Sequence, residues 1–332
     1  MNSLVVQTSF LGDMVLTTPL LAELAGRGPV DVVATPANAP LLANHPAVRR
    51  VVVFDKRRDS RGLEGLARTA ATLREGGYDT AYLAQGSMRS ATLARIAGIP
   101  ERIGFATSAG RWLYTRRVPY RDDLHHSERL WRLAMPEGAP ASPETLRPRL
   151  YPGEVERTAV DLVLHGSAAG EQPFVALAPG SVWATKRWPY YPELVRLLTA
   201  DQPVVVVGGP VDGDLARAIA SVAPGRVLDA TGRLSLLASA ELIRRARALV
   251  TNDSAPMHLA SAVGTPTIAI FGPTVPDFGF GPLAPAAATV GHDLLPCRPC
   301  HRHGPRACPL GHWRCMREVT PELVHQTLLA TS

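Results

Sequence analysis

The amino-acid sequence predicts an α/β protein made of two doubly wound domains. In both halves of the chain, short apolar runs with the length of buried strands alternate with longer stretches typical of helices. This alternation is the pattern of parallel sheets covered by helices on both faces. The chain has 332 residues, which is too long for one average domain and suits two. Apolar residues make up 46% of the sequence, which is enough for each half to bury a core.

The predicted elements follow one another in the same way in each half. The first half is predicted to form strands at 3–8, 30–34, 51–54, 80–84 and 102–104 and helices at 13–26, 62–76 and 87–97. The second half is predicted to form strands at 174–178, 203–207, 226–229, 247–251 and 267–271 and helices at 190–200, 212–222, 235–245 and 255–263.

A linker is predicted at residues 136–153, which contain five prolines and no periodic pattern. We therefore expect one domain at residues 1–160 and a second at 161–332. Ligands of doubly wound sheets bind at the carboxyl ends of the strands, so we expect a cleft between the two domains.

The charge of the chain favours an anionic partner. The net charge is +6 and the isoelectric point is about 9.4, which suits phosphorylated small molecules, anionic lipids or nucleic acid. The densest basic cluster is Lys56, Arg57, Arg58 and Arg61, which could also be a solvated face. The basic residues do not alternate with aromatic ones and form no nucleic-acid-binding motif, so we do not expect nucleic acid.

The sequence shows neither a secretory signal nor a membrane-spanning stretch. Residues 1–6 have the pattern of a first strand, and no run reaches 18 apolar residues. We expect a cytoplasmic protein, or one bound peripherally to the inner membrane.

The first of four chemically informative loops follows the first predicted strand, at residues 8–13. Gly12 permits a tight turn or the close approach of a ligand. Asp13 lies where the next helix begins. Its carboxylate can cap that helix, or it can act as a general base at the edge of the sheet.

The second loop, Pro179–Pro189, offers ligands for an anion. Ser181 and Thr185 supply hydroxyls, and Lys186 supplies a positive charge between a strand and a helix. A lysine in this position suits a phosphate, although an exposed loop lysine is the plain alternative. The third loop, Val207–Asp214, has acids that either cap the next helix or bind the hydroxyls of a ribose.

The fourth loop, residues 251–258, leads from a strand into a helix with Pro256 near its first turn. The backbone N–H groups of Ala255, Met257 and His258 are expected to be unpaired and to point toward an anion, with the helix dipole assisting. Asp253 would repel that anion, so we expect it to anchor the loop or to accept from sugar hydroxyls. Neither a G-x-G-x-x-G after the first strand nor a Walker lysine loop is present, which argues against dinucleotide oxidoreductases and P-loop NTPases.

All four cysteines lie close together near the end of the chain, in residues 297–315, as C-x2-C-x7-C-x6-C. Such a close first pair is typical of tetrahedral thiolate sites for zinc or iron. Three interpretations remain open for Cys297, Cys300, Cys308 and Cys315. They bind a metal ion, they are reduced free thiols, or they form disulfides. A cytoplasmic location disfavours disulfides. In each case we interpret the segment as structural and remote from the chemistry.

Taken in order, these loops resemble those of the family 9 glycosyltransferases, the ADP-heptose lipopolysaccharide heptosyltransferases. The resemblance covers both domains, and the cysteine-rich tail is most similar to the heptosyltransferase II branch. Ala255 stands where the family usually has glycine, and Phe10 stands where many members have a smaller polar residue. The matching stretches are residues 9–13, 179–181 with 185–189, 252–258, 271–274 and the tail at 297–316.

The resemblance implies a GT-B fold, in which two Rossmann-like domains face a central cleft, and inverting transfer without a metal in the chemical step. ADP-heptose is then the donor, bound by the C-terminal domain, and a lipid-linked inner-core sugar carrying Kdo or heptose on lipid A is the acceptor, bound by the N-terminal domain. The implied general base is Asp13, and Asp214 is assigned to the ribose. The implied donor-site residues are Ser181, Thr185, Lys186, Asp253, Ser254, Ala255, Pro256, Met257 and His258.

The basic cluster at residues 56–61 would suit such an acceptor and an anionic membrane surface. Three other functions remain open. A family 9 transferase could use a protein or an O-antigen sugar as acceptor. A GT-B epimerase would need further acids at the sugar, which we do not identify. The chain could also bind a nucleotide sugar without catalysis.

Overall fold

The computed structural model describes residues 1–55 and 62–331, and the chain divides into two compact units. The first unit is Met1–Leu150, and the second begins at Tyr151. The helix Glu154–Leu164 lies wholly in the second unit, where it packs against the helix Leu236–Arg245. Asp161 pairs with Arg245 across this contact. A division at residue 160 would cut through this helix, which explains why the structure places the division earlier.

The first unit is a six-stranded parallel sheet in the order β3-β2-β1-β4-β5-β6. Its strands are β1 (Ser3–Gln7), β2 (Val30–Ala34), β3 (Arg50–Val53), β4 (Thr80–Leu83), β5 (Glu101–Phe105) and β6 (Arg116–Val118). Its helices are α1 (Leu11–Ala25), α2 (Gly62–Glu75), α3 (Met88–Ile96), α4 (His126–Trp131) and α5 (Pro143–Leu146). The strand order reverses between β1 and β4, so the loops that follow these two strands lie at the switch point where doubly wound sheets bind ligands.

The second unit repeats the same topology in the order β12-β11-β10-β7-β8-β9. Its strands are β7 (Val175–Ala178), β8 (Val204–Val206), β9 (Val227–Asp229), β10 (Ala248–Asn252), β11 (Thr267–Phe271) and β12 (Ala287–Gly291). Its helices are α6 (Glu154–Leu164), α7 (Ala168–Glu171), α8 (Tyr191–Leu198), α9 (Gly213–Ala220), α10 (Leu236–Arg245), α11 (Ala255–Val263), α12 (Arg314–Arg317) and α13 (Pro321–Thr331). Here the switch point lies between β7 and β10.

The central strands are buried over their whole length because helices cover both faces of each sheet. In the second unit, Leu177 and Val250 pack with Leu194 of α8 in one core cluster. Cys315 and Met316 belong to the same cluster. The cysteine-rich segment is therefore partly built into the core of the second unit.

The predicted class, an α/β protein with two doubly wound parallel sheets, is confirmed. Each predicted strand and helix has a counterpart, with differences of a few residues at the ends. The prediction missed the edge strands β6 and β12, and the expected linker contains the short helix α5. Among the described residues, no helix has the length and apolar character needed to cross a membrane.

Candidate active site

Asp13 lies in the first turn of α1, and its two carboxylate oxygens have different surroundings. Oδ2 accepts hydrogen bonds from the Phe10 N–H at 3.2 Å and the Ser9 hydroxyl at 2.8 Å, so it closes a capping box at the start of the helix. Oδ1 lies 3.5 Å from Nε2 of His126 in α4. The sequence left capping and acid–base chemistry as alternatives. The structure makes them compatible, because one oxygen caps the helix while the other faces an imidazole.

The loop that holds Asp13 is fixed by Gln7, the last residue of β1, and by Asn38, which follows β2. The Ser9 hydroxyl is 2.6 Å from Gln7 Oε1, and the Asn38 amide donates to the Ser9 carbonyl at 3.0 Å. Gly12 lies within the first turn of α1. The Asp13 and His126 side chains are 17% and 12% exposed, so both remain accessible to a small group but are largely shielded from water. His126 was missed because it is 113 positions from Asp13 (126 minus 13) and no local pattern links them.

Lys186 is a nearly buried cation at the carboxyl end of the second sheet. Its Nζ lies 2.5 Å from Asp253 Oδ2, and each side chain is 11% exposed. The Thr274 hydroxyl donates to the same oxygen at 2.7 Å. Asp253 therefore anchors the lysine in this structure. An ammonium group has three N–H donors, so the pair leaves Lys186 able to donate to an oxyanion as well.

Asn252, at the end of β10, holds the loop Pro179–Pro189, which is named the lysine loop after Lys186. It is fully buried, and its Oδ1 accepts from the Trp188 N–H at 3.1 Å and the Tyr191 hydroxyl at 3.3 Å. Its Nδ2 donates to the Pro179 carbonyl at 2.7 Å. Asn252 was not singled out from the sequence. The available signal is an amide side chain at the end of an apolar strand, immediately before an aspartate. Its three bonds hold both ends of the Pro179–Pro189 loop against the sheet.

Three other residues of the lysine loop, Ser181, Thr185 and Arg187, form hydrogen bonds to other groups of the protein. The Ser181 hydroxyl accepts from the Trp183 N–H at 3.4 Å, and the Ser181 carbonyl accepts from Arg187 Nε at 3.0 Å. The Thr185 hydroxyl donates to the Pro305 carbonyl. Arg187 is thus used to shape the loop.

The helix α11 begins at Ala255, with Ser254 as its N-cap and Pro256 in its first turn. The Met257 N–H donates to the Ser254 carbonyl at 3.1 Å, so this amide has a partner within the chain, contrary to the expectation that it would be unpaired. The tight first turn brings these two groups together. The His258 side chain is 5% exposed. The positive end of α11 nevertheless begins two residues after Asp253, beside the lysine pair.

Asp214 and Asp212 occupy different environments at the start of α9. Asp214, which the resemblance assigned to the ribose, is 92% exposed and pairs with Arg217 on the same helix. Asp212 is buried, and its Oδ2 accepts from the Gly209 N–H at 2.9 Å. A Cβ at Gly180 would lie 2.4 Å from Asp212 Oδ1, so Asp212 packs against the lysine loop and Asp214 does not. The role of Asp214 stays a prediction.

The cysteine-rich segment, residues 297–315, contacts Lys186. Our expectation that this segment lies away from the proposed chemistry is wrong. A Cβ at Gly304 would lie 3.1 Å from Cε and 3.3 Å from Cγ of Lys186. Thr185 bonds to the neighbouring Pro305, as described above. The segment follows β12 at the edge of the sheet and returns across the carboxyl ends of the strands. That path explains why residues more than 100 positions after Lys186 pack against it.

The pKa values of three of the four thiols are shifted by their surroundings, and the four side chains as placed do not form a metal site. Burial raises the pKa of Cys315 to about 11, and burial followed by the charge of Cys297 raises the pKa of Cys300. Burial also opposes ionisation of Cys308, but N–H groups of residues 310–313 outweigh it and lower the pKa of that thiol. Within residues 1–55 and 62–331, no group of three or more His, Cys, Asp or Glu side chains is arranged to hold a metal ion.

The predicted acceptor cluster of Lys56, Arg57, Arg58 and Arg61 lies outside the described residues. The assignment of these four side chains to an acceptor therefore stays a prediction.

Comparisons with known proteins identify the family of the chain. The family model described as glycosyltransferase family 9 (heptosyltransferase) matches residues 66–312. The chain is 32% identical to lipopolysaccharide heptosyltransferase 1 of Pseudomonas aeruginosa, over 90% of this chain and 86% of the relative. It is 28% identical to lipooligosaccharide heptosyltransferase 2 of Haemophilus influenzae, over 99% of this chain and 98% of the relative. The solved structure of E. coli ADP-heptose lipopolysaccharide heptosyltransferase II is similar with a TM-score of 0.81 at 27% identity, covering 100% of this chain and 98% of that one.

Proposed function

This chain belongs to glycosyltransferase family 9, and we propose that it transfers heptose from ADP-heptose to the inner core of lipopolysaccharide. The family resemblance drawn from the sequence is confirmed, as are the GT-B class and the identification as a glycosyltransferase. The observation that supports the donor most directly is the Lys186 ammonium, which is nearly buried at the carboxyl ends of β7 and β10 and lies beside the start of α11.

The proposed donor site lies in the second unit. Negative charge grows on the distal phosphate of ADP-heptose as the glycosidic bond breaks. A preorganised ammonium and a helix N-terminus stabilise such charge without reorganising. Because Lys186 is paired with Asp253, the two side chains together are close to neutral, which limits the repulsion that Asp253 alone would exert. The Asp253 carboxylate can then accept from a sugar hydroxyl.

The proposed base lies in the first unit. Asp13 would take the proton from the acceptor hydroxyl as that oxygen attacks the anomeric carbon opposite ADP, which inverts the configuration. We assign this proton transfer to Oδ1, which faces the His126 imidazole, while Oδ2 accepts from Phe10 and Ser9 at the start of the helix. Nε2 of His126, 3.5 Å from Oδ1, can receive the proton from the carboxylate in turn.

For the acceptor, we propose a lipid-linked inner-core sugar carrying Kdo or heptose. Two of the relatives carry different numbers in their names. Lipopolysaccharide heptosyltransferase 1 is 32% identical to this chain, and lipooligosaccharide heptosyltransferase 2 is 28% identical. Sequence identity therefore does not favour one of these two types of heptosyltransferase, and the acceptor is tested below with both Kdo and heptose as the terminal sugar. We further propose a cytoplasmic protein at the inner membrane surface, supported by the net charge of +6.

A panel of donors and acceptors tests this function. The purified chain is incubated with ADP-heptose, ADP-glucose or UDP-glucose and with truncated lipopolysaccharides that end in Kdo or in heptose, and the nucleoside diphosphate released is measured. We expect acceptor-dependent ADP release from ADP-heptose with one of the two lipid acceptors. Release only with a protein or an O-antigen sugar would replace the acceptor. Tight ADP-heptose binding without release under any condition would leave a binding protein and overturn the proposal.

We propose in addition that Cys297, Cys300, Cys308 and Cys315 hold a structural zinc or iron ion, with no part in the chemistry. The support is their grouping within residues 297–315 and the lowered pKa of Cys308, since thiolates are the ligands. The side chains as placed do not form a ligand set of three or more, so binding would require the thiols to converge. Elemental analysis of the purified chain tests this proposal, with about one ion per chain expected and none contradicting it.

A further inference from the structure

Arg298 is a buried cation in the cysteine-rich segment with little direct charge compensation. Its side chain is 4% exposed, and its carboxylate partner, Asp293, is 3.4 Å away and 92% exposed. Its Nε has no hydrogen-bond partner among the described residues. Removing a guanidinium from water is costly, and an exposed carboxylate offsets little of that cost. The Arg298 side chain donates two further hydrogen bonds to the protein, both from its terminal nitrogen Nη2.

Those contacts lie on the turn Phe271–Thr274, which begins at the last residue of β11. Nη2 donates to the Phe271 carbonyl at 3.1 Å and the Thr274 carbonyl at 3.0 Å. The Cys300 N–H donates to the carbonyl of Pro273, which lies between them, at 2.9 Å. Two residues of the segment thus bind three of the four carbonyls in Phe271–Thr274, and the turn is held from its backbone.

A side chain of the same turn, that of Thr274, contacts the Lys186–Asp253 pair. The buried Thr274 hydroxyl donates to Asp253 Oδ2 at 2.7 Å, and this oxygen pairs with Lys186 Nζ. The contacts form one continuous chain within the second unit, from Arg298 through Thr274 and Asp253 to Lys186. A small displacement of the turn would move the Asp253 carboxylate, and with it the ammonium.

We propose that Arg298 is a positioning residue of the donor site, which holds the Phe271–Thr274 turn so that Thr274 and Asp253 present Lys186 to the diphosphate of the donor. The inference rests on the proposed function, because it requires Lys186 to bind phosphate. Arg298 does not touch the donor in this scheme. Its effect is on the diphosphate alone, since the chain of contacts ends at the ammonium.

Calorimetric titration with ADP and with adenosine separates positioning from general stability. The variants are Arg298→Met, Lys186→Ala and the double variant, with Arg314→Met as the matched control. Arg314 is an arginine of the same segment whose guanidinium pairs with Glu318, the residue that follows α12. We expect Arg298→Met to weaken ADP about tenfold to a hundredfold, because charge-assisted bonds and correct placement have effects of this size. We expect adenosine affinity and the control to be unchanged.

The double variant gives the readout that a merely structural role would not move. If Arg298 acts through Lys186, adding Arg298→Met to Lys186→Ala causes no further loss of ADP affinity. Fully additive losses, equal losses for ADP and adenosine, or wild-type ADP affinity in folded Arg298→Met would each overturn the proposal.

A second variant covers a failure of Arg298→Met to fold. Thr274→Val keeps the side-chain shape and removes only the hydroxyl that binds Asp253, so it should reproduce the selective loss for ADP. If it binds ADP as the wild type does, the chain of contacts does not operate. Failure of the proposed function looks different, because then Lys186→Ala itself would not weaken ADP relative to adenosine.

Discussion

Gly304→Ala is the substitution that most specifically tests whether the cysteine-rich segment shapes the lysine site. Gly304 has a φ of +86°, a left-handed conformation that costs an alanine about 1–2 kcal/mol. The added Cβ would lie 3.1 Å from Lys186 Cε and 3.3 Å from Thr185 Oγ1, so Lys186 must move by a few tenths of an ångström. Gly311→Ala is the matched control, because Gly311 has a φ of +69° in the same segment and nothing within 4 Å of the added Cβ.

Both variants should lose about 1–2 kcal/mol of unfolding free energy, which corresponds to a fall in melting temperature of about 2–4 °C per kcal/mol for a unit of this size. Only Gly304→Ala should also weaken ADP, by about three- to fivefold, because a displaced ammonium loses part of a charge-assisted bond. Thermal unfolding and ADP titration of the two proteins measure both effects. Equal ADP affinities in the two variants would refute the claim that Gly304 shapes the position of Lys186.

Three further changes are expected to separate the parts of the site. Asp13→Asn should lower the rate of transfer by about 10²–10⁴ and leave ADP affinity nearly unchanged, and normal turnover would reduce Asp13 to a helix cap. His126→Asn should lower kcat about tenfold, since general acid–base groups act on the rate, and a change confined to KM would assign His126 to acceptor binding instead. Cys297→Ser should lower melting temperature and metal content together while folded protein stays active; unchanged melting after EDTA in metal-free protein would show that the thiols are only packed.

The fold could be predicted because its main elements have local signals. Buried strands such as Val175–Ala178 are short apolar runs, and helix starts such as Ala255 with Pro256 follow known preferences. The edge strands lack such signals. β6 consists of Arg116, Arg117 and Val118, and β12 is built largely of small residues, so neither has the apolar pattern of a central strand.

The site was predictable only as far as each loop could be considered alone. The sequence pointed to Asp13, Lys186 and Asp253, because each follows a strand of a doubly wound sheet. It did not point to His126 beside Asp13, or to Gly304 against Lys186, because these pairs are brought together by tertiary packing across more than 100 residues. Periodicity and capping preferences describe neighbours in sequence and contain no information about such contacts.

The mass spectrum of a truncated lipopolysaccharide, taken after incubation with ADP-heptose and either the wild-type chain or Asp13→Asn, tests the central claim most directly. The account predicts that the wild type adds the mass of one heptose residue to the acceptor in step with ADP release. It also predicts that Asp13→Asn, at equal ADP occupancy, adds almost none over the same time. An acceptor left unmodified by the wild type, or modified equally by both proteins, would contradict the account.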